Sequence, residues 1–445
     1  MVFSLIKIER AKHKKILTIS LPAAFNSLLD MLQVITDLIM VGTISAFAVA
    51  AVGVGIQSLM LVFAILTLFQ VGTSALISRF KGAGKMNQAS LALSTLWQFA
   101  FWVSLMLIPI WYFGSTALYS WYDTAPEVTL LGTQYVAILT IMMPFVFMKL
   151  VFITALNATG DTKTPLYVKL ISIFLNVGLN YVLIFGHYGF PALGVEGAAI
   201  ATVIVNILEL LLYIFLYIRY KTPFKPMIRF SKNIFHRALK VGVPASFERT
   251  LTMGSFTFFT ATIASYGTEV LAGYQIGLRI EGIAFMPGIG FTIAAMALMG
   301  QGLGAKKPEQ SREDVLLVMK YAMGLMFFLS FFMIFIPEYI VSFFTNDSQT
   351  IEEASLYLKI VGLSQIPLAI SFVLAGALRG AGDSRRTLKI SLTSLWLVRI
   401  IPAFVLTWYF EDIIWVYIAM ISDTFVKAFF MWRAFNKGEW QKIKV

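Results

Sequence analysis

Residues 16–42 read ILTISLPAAFNSLLDMLQVITDLIMVG. The run is long enough to cross a bilayer, whose hydrocarbon core takes ~20 apolar residues of helix, yet it carries two carboxylates. Asn26, Asp30, Gln33 and Asp37 recur at intervals of four, three and four. At ~3.6 residues per turn they form one polar stripe, and Leu, Ile and Met fill the other faces. A carboxylate near the bilayer centre costs ~2.5 to 3.5 kcal/mol, so the stripe faces protein or water. Either Asp37 is a proton or cation site, the default reading of an intramembrane ionisable residue, or the stripe is polar glue between helices.

The rest of the chain has the same character. Its 445 residues are 58% hydrophobic and only 13% charged, with a mean hydropathy of +0.80, which is the composition of an integral membrane protein and not of a soluble enzyme. The net charge of +12 does not imply nucleic acid, because the basic residues lie in short segments between apolar runs and act as topology signals. Cysteine is absent and the three histidines, His13, His187 and His236, are scattered. That removes disulfides, thiolate catalysis and any evident metal site. No nucleophile and base pair appears, so enzymatic chemistry is not expected. The basic N-terminus MVFSLIKIERAKHKK reads as a retained interfacial helix.

Apolar runs bounded by Gly, Pro and charge predict twelve helices at 16–42, 50–79, 90–116, 129–158, 166–186, 195–219, 239–266, 270–302, 314–336, 352–379, 387–409 and 412–436. Arg79, Lys81, Lys85, Lys163, the segment from Arg219 to Lys240, Lys306, Lys307, Arg312, Arg379, Arg385, Arg386, Lys389 and both termini then fall on one side. Asp123, Glu127, Glu269, Glu338, Asp347, Glu352, Glu353, Glu411 and Asp412 fall on the other. The positive-inside rule makes both termini cytoplasmic.

The chain also repeats. LPAAF at 21–25 resembles VPASF at 243–247, and GDTK at 160–163 resembles GDSR at 382–385, both 222 residues on; GAG at 82–84 meets GLG at 302–304 after 220. Three anchors in one order imply a duplicated six-helix unit, with parallel halves because six is even. The expected domains are an N-lobe (1–218), a charged linker (219–238) and a C-lobe (239–445). Offset 222 sets Asn26 opposite Glu248, but Asp30 and Asp37 meet Thr252 and Phe259. The halves are chemically unequal.

Further polar residues fall inside predicted spans. Asn176 and Asn180 lie one turn apart, and Asn180 shares the outer depth of Asp37, where an amide can hydrogen-bond a carboxylic acid or its anion. Thr202 and Asn206, four apart, and Tyr135 suit a cavity lining or interhelical packing. In the second half, Glu248 and Arg249 could form a buried ion pair or serve a cation, as could Gln275, Arg279 and Glu281. Arg399 and Asp423 could pair across helices. Lys149 and Lys359 face protein or water, and Pro287 permits a bend. Abundant Phe and Met suit lipid contact and flat lipophilic cations alike.

Several stretches match a known family: ITDLIMVG (35–42), SRFKGAG (78–84), ALNATGDTKTP (155–165), LNVGLNYVLIFG (175–186), GVEGAAIATV (194–203), YQIGLRIEGIAFMPGIGFTIAAMALMGQGLGA (274–305), GALRGAGDSRRT (376–387) and GEW (438–440). In this order they resemble the multidrug and toxic compound extrusion (MATE) transporters over essentially the whole chain. The resemblance implies an all-α membrane protein of twelve helices in two pseudo-symmetric, V-shaped lobes. It implies a monomeric antiporter in the plasma membrane that exports small organic cations by alternating access, among membrane lipids and without nucleic acid or cofactor, in exchange for H+ or Na+. It makes Asp37 the coupling carboxylate, joined by Asp30, Asn176 and Asn180, and Pro22 a helix-1 bend. Gln33, Asn26 and Tyr135 fall in the N-lobe network, and Glu248 falls where sodium-coupled members often carry a glutamate. Two departures, Asn180 in place of an aspartate and a tenth helix without aspartate, favour proton coupling. A lipid-linked oligosaccharide flippase of the same superfamily is the alternative.

Overall fold

The structure, a computed structural model, describes residues 2–121, 124–219, 221–410 and 412–443. Asp123 and Glu411, both assigned above to outer loops, lie outside them. The described chain is helical: α1 (Val2–Gly42), α2 (Ala46–Gly82), α3 (Met86–Trp121), α4 (Pro126–Thr140), α5 (Met143–Thr159), α6 (Lys163–Phe185), α7 (Gly194–Ile218), α8 (Lys232–Ala264), α9 (Thr268–Gly304), α10 (Pro308–Phe335), α11 (Pro337–Val341), α12 (Ser348–Gly362), α13 (Gln365–Gly380), α14 (Ser384–Ser394), a π-helical turn (Leu395–Ile400), α15 (Ile401–Tyr409), α16 (Ile414–Asn436) and a final 3-10 turn (Glu439–Lys442). Among the described residues nine spans are long and apolar enough to cross a membrane, and the bent pairs α4/α5 and α12/α13 bring the number to eleven. α8, which carries Lys232, Arg237, Lys240, Glu248 and Arg249 in its first half, takes the twelfth predicted place.

Local chemistry sets the breaks. The predicted spans 129–158 and 352–379 are each two helices, bent by 52° and 55°. Pro144 and Pro367 lack an amide hydrogen, and each ring crowds the carbonyl four residues earlier, at Thr140, the last residue of α4, and at Leu363, the residue just after α12. The span 387–409 is likewise interrupted, by the π turn, which absorbs Pro402. Pro22 and Pro287 both lie inside unbroken helices. The N-terminal segment read as a separate interfacial helix is continuous with the first span. Gly160 and Gly382, the matching glycines of the repeat, both adopt the left-handed conformation, at φ 90° and 88°. Only glycine does so without steric cost, so this repeated motif is a helix stop.

The chain forms two compact units, Leu28–Gly242 and Met1–Ser27 with Val243–Val445. The first 27 residues thus pack with the C-terminal half. Ile16 and Ile19 are buried in one core with Phe291, Leu298 and Val318, Lys12 pairs with Glu313 at 2.6 Å, and His13 Nδ1 meets Tyr321 Oη at 2.5 Å. Gly290 permits this, because a Cβ there would stand 2.2 Å from the Ala24 nitrogen. The same unit seats α13 on α9 through Gly376 and Gly380, four apart, whose missing side chains let backbones touch as in membrane helix pairs.

In the other unit the basic linker is fastened down. Ser94 Oγ donates to Arg229 O (2.8 Å) and accepts from Arg229 N (2.9 Å), Ser90 Oγ accepts from Lys225 N (2.9 Å), and Thr95 Oγ1 accepts from Ser231 N (3.1 Å). One polar edge of α3 therefore satisfies an extended backbone that has no helix or sheet of its own.

Candidate functional site

The polar residues of the Leu28–Gly242 unit converge on one network. α1 supplies Asp30, Gln33 and Asp37 from a single face, as the four-and-three spacing requires. α6 brings Asn176 and Asn180, both completely buried. Asn180 Nδ2 donates to Asp37 Oδ1 at 2.6 Å and to Asn176 Oδ1 at 3.3 Å. The two residues inferred to share a depth are thus in direct contact. Asn180 Oδ1 and Asn176 Nδ2 are buried without a hydrogen-bond partner, an acceptor on one amide and a donor on the other. Tyr135 is buried on α4, within electrostatic reach of Asp37. A Cβ at Gly55 would lie 3.0 Å from the Tyr135 ring, so the glycine makes room for it.

The sequence reading missed Lys169 and set Lys149 against protein or water without naming its partner. Lys169 on α6 donates to Asp30 Oδ1 at 2.5 Å and to Gln33 Oε1 at 2.7 Å. Its side chain is 13% exposed against 56% for Asp30, and Asp37 and Glu209 are also within its electrostatic reach. Lys149 on α5 pairs with Glu209 on α7 and donates to Asn206 Oδ1 at 2.6 Å. Asn206 Nδ2 in turn donates to Thr202 O at 2.8 Å, and Thr202 Oγ1 to Ala198 O. Asn206 therefore orients a lysine, and Thr202 bonds back onto the backbone of its own helix. Lysine inside an apolar run is itself the signal: Lys169 lies six residues into α6, and only a facing carboxylate makes its burial tolerable.

The C-terminal unit treats its charges differently. Glu248 is buried and does not pair with its neighbour Arg249. Arg379 Nη2 donates to its Oε1 at 2.8 Å and Thr387 Oγ1 to its Oε2 at 3.1 Å. Adjacent helix positions point about 100° apart, so residues 248 and 249 could not face each other. Both oxygens of Glu248 are engaged by α13 and α14, so of the two readings the geometry favours the buried ion pair, with Arg379 and not Arg249 as its partner. Tyr357 Oη donates to Glu281 Oε2 at 2.5 Å, while Gln275 and Arg279 on the same helix are exposed. Asp423, fully buried, takes Arg399 at 3.1 Å, Lys427 at 3.3 Å and the Ser394 hydroxyl at 2.5 Å, so Arg399 and Asp423 do pair. Lys359 pairs with Glu338 at 2.6 Å. Asn26 is half-buried on the part of α1 that belongs to this unit. Among the described residues no group of His, Cys, Asp and Glu is arranged to hold a metal.

Comparison with known proteins fits this architecture. The MatE family model matches residues 22–182 and again 244–405. The chain belongs to the MatE family. The two matches begin 222 residues apart, the interval of the internal repeat, and this MATE protein is a membrane transporter, not an enzyme. It is 30% identical over 441 residues to the "Probable multidrug resistance protein NorM" of Thermotoga maritima, covering 97% of this chain and 93% of the relative. The "Probable multidrug resistance protein YoeA" of Bacillus subtilis is 27% identical, with 76% and 74% covered. Among solved structures, one titled "Outward-facing conformation of a multidrug resistance MATE family transporter of the MOP superfamily" shares the fold at TM-score 0.90 and 19% identity, covering 97% of each chain. The Vibrio cholerae MATE transporter VcmN in the bent form does so at TM-score 0.88 and 21% identity, over 96% of this chain and 97% of that one.

Proposed function

We propose that this MATE transporter is a proton-coupled multidrug efflux antiporter of the plasma membrane, with both termini cytoplasmic, that exports lipophilic organic cations as a monomer and couples at Asp37. The observation that carries the reading is the 2.6 Å contact between Asp37 and a completely buried asparagine. An amide serves both protonation states of a carboxyl group, since its NH2 donates to the anion and its oxygen accepts from the acid. With Asp37 ionised, Asn180 donates to it and leaves its own oxygen idle. With Asp37 protonated, a flip of both amides lets the Asp37 hydroxyl donate to Asn180 Oδ1 while Asn176 Nδ2 donates to the same oxygen. The flip gives the two orphaned atoms partners and leaves Asn180 Nδ2 and Asn176 Oδ1 in the positions they vacate, so the number of satisfied groups is unchanged and the protonation of Asp37 alone selects between the two arrangements. Protonation and a rearranged buried network are thereby linked, and a cation and a proton that prefer different arrangements exchange for one another.

Sodium is less well supported. A hard cation is held by several oxygen ligands, whereas Asp37 meets an amide and lies within reach of the Lys169 charge. Glu248, the other position associated with sodium, is occupied by Arg379 and Thr387. A flippase for lipid pyrophosphates calls for a cluster of uncompensated cationic groups; Arg379, Arg399 and Lys427 face carboxylates, and Arg249 and Arg279 are too few to form one. The test is purified protein in liposomes loaded with ethidium, with pH or sodium gradients imposed separately. Efflux driven by the pH gradient alone supports the proposal, and efflux that requires sodium overturns it.

A further inference from the structure

Charge matching in the Leu28–Gly242 network has a definite outcome. Lys149 is taken by Glu209. Lys169 is taken by Asp30, with Gln33 completing its coordination. The remaining groups that bear on this cluster are Asp37 on α1, the phenols of Tyr119, Tyr135 and Tyr213, which are neutral at ordinary pH, and Asp161, which lies before α6 and is held there by Thr164 N and Oγ1. Apart from Asp161 at that helix start, three carboxylates within the helices stand against two ammonium groups, so one negative charge there, that of Asp37, is unmatched. Asp30 is 56% exposed and Asp37 half-buried, but an unmatched carboxylate within a membrane-spanning helix is costly until something neutralises it, and one proton or one monovalent organic cation does so.

We propose that Lys169 is a resident counter-cation that limits the exchange to one positive charge each way per cycle. The inference rests on the proton-coupled reading above and assigns to Lys169 the charge stoichiometry of that cycle. Without the lysine, Asp30 and Asp37 together leave two negative charges, and the site accepts two protons, or a cation and a proton, where it accepted one. With it, a monovalent cargo leaves as one proton enters and no net charge crosses the membrane. The membrane potential then contributes nothing, and a pH difference of one unit sustains a tenfold cargo gradient. Lys169 acts through Asp30 and Gln33 and is a positioning residue, not a group on the cargo.

The experiment reads charge movement. Liposomes containing the full chain are adsorbed on a solid-supported membrane, and ethidium, a monovalent cation, is exchanged against an imposed pH gradient, with dye flux followed in parallel by fluorescence. The wild type is expected to carry dye with no net current, and K169R to do the same. K169Q is expected to pass current, because two protons then enter for each monovalent dye that leaves. The double variant D30N/K169Q, which has one unmatched carboxylate again, is expected to return to currentless exchange. This last result also distinguishes charge balance from damage to the fold, since a second substitution repairs the first. Net current in the wild type, or currentless exchange by K169Q, would overturn the inference. Absence of any pH-driven dye flux in the wild type would instead remove the proton-coupled reading, and this inference with it.

Discussion

Replacing Asp37 by asparagine tests the coupling assignment most directly, because the structure separates its effect on transport from its effect on stability. The substitution removes the one unmatched charge of the network but keeps the shape and one oxygen acceptor for Asn180, whose Nδ2 lies 2.6 Å from Asp37 Oδ1. The hydrogen bond drops from charge-assisted to neutral, a loss of about 1 kcal/mol from the difference between ~1.5–3 and ~0.5–1.5 kcal/mol. Against it stands relief from holding a carboxylate in a largely dehydrated site, also worth kcal/mol. The two nearly cancel, so thermal unfolding of D37N in detergent is expected within a few degrees of wild type. Transport should not cancel. Wild-type protein in liposomes is expected to hold a tenfold ethidium gradient per pH unit, and D37N none, with its dye flux indifferent to the pH difference. D37N that concentrates ethidium at the wild-type rate and extent would refute the assignment. D37N that unfolds early would show that Asp37 is chiefly structural.

Glu248→Gln is expected to behave in the opposite way. It leaves the Arg379 guanidinium without its carboxylate in a buried site and should lower stability by ~3–5 kcal/mol, read as earlier thermal unfolding, while transport by the folded fraction remains pH-driven. Gly380→Val sets a Cβ 2.3 Å from the Met296 carbonyl oxygen, so α13 must lift from α9, at a cost of at least ~1–3 kcal/mol. Size-exclusion profiles after graded heating should show it. Ser94→Ala removes both hydrogen bonds to Arg229, so backbone amides near 225–231 should exchange hydrogen faster than in wild type, with transport unchanged. Unaltered exchange there would mean that Ser94 does not hold the linker.

Much of this protein is legible without coordinates. Mean hydropathy and apolar run lengths dictate a helical membrane protein, since only helices or closed barrels satisfy backbone polar groups in lipid. The 222-residue repeat is a property of the letters alone, and the match of one family model to both halves has the same spacing. The face shared by Asp30, Gln33 and Asp37 follows from helical periodicity within one element, and Asn180 could be set beside Asp37 because both were counted from a helix end. What periodicity does not encode is which helix a stripe meets and how it is rotated. Glu248 and Arg249 are neighbours in sequence, yet the glutamate finds Arg379, 131 residues away, because adjacent helix positions diverge and packing chose the partner. Lys169 was invisible as a site residue for the same reason: one cation in an apolar run says that it needs an anion, and only the packing of α6 against α1 says that the anion is Asp30. The membership of the first 27 residues in the C-terminal unit likewise depends on a glycine gap at Gly290 that fits Ala24, a surface complementarity between distant segments. Local chemistry fixed the helices and their polar faces; long-range packing fixed which charges neutralise each other and, in the network of α1, α5, α6 and α7, left Asp37 without an ion pair.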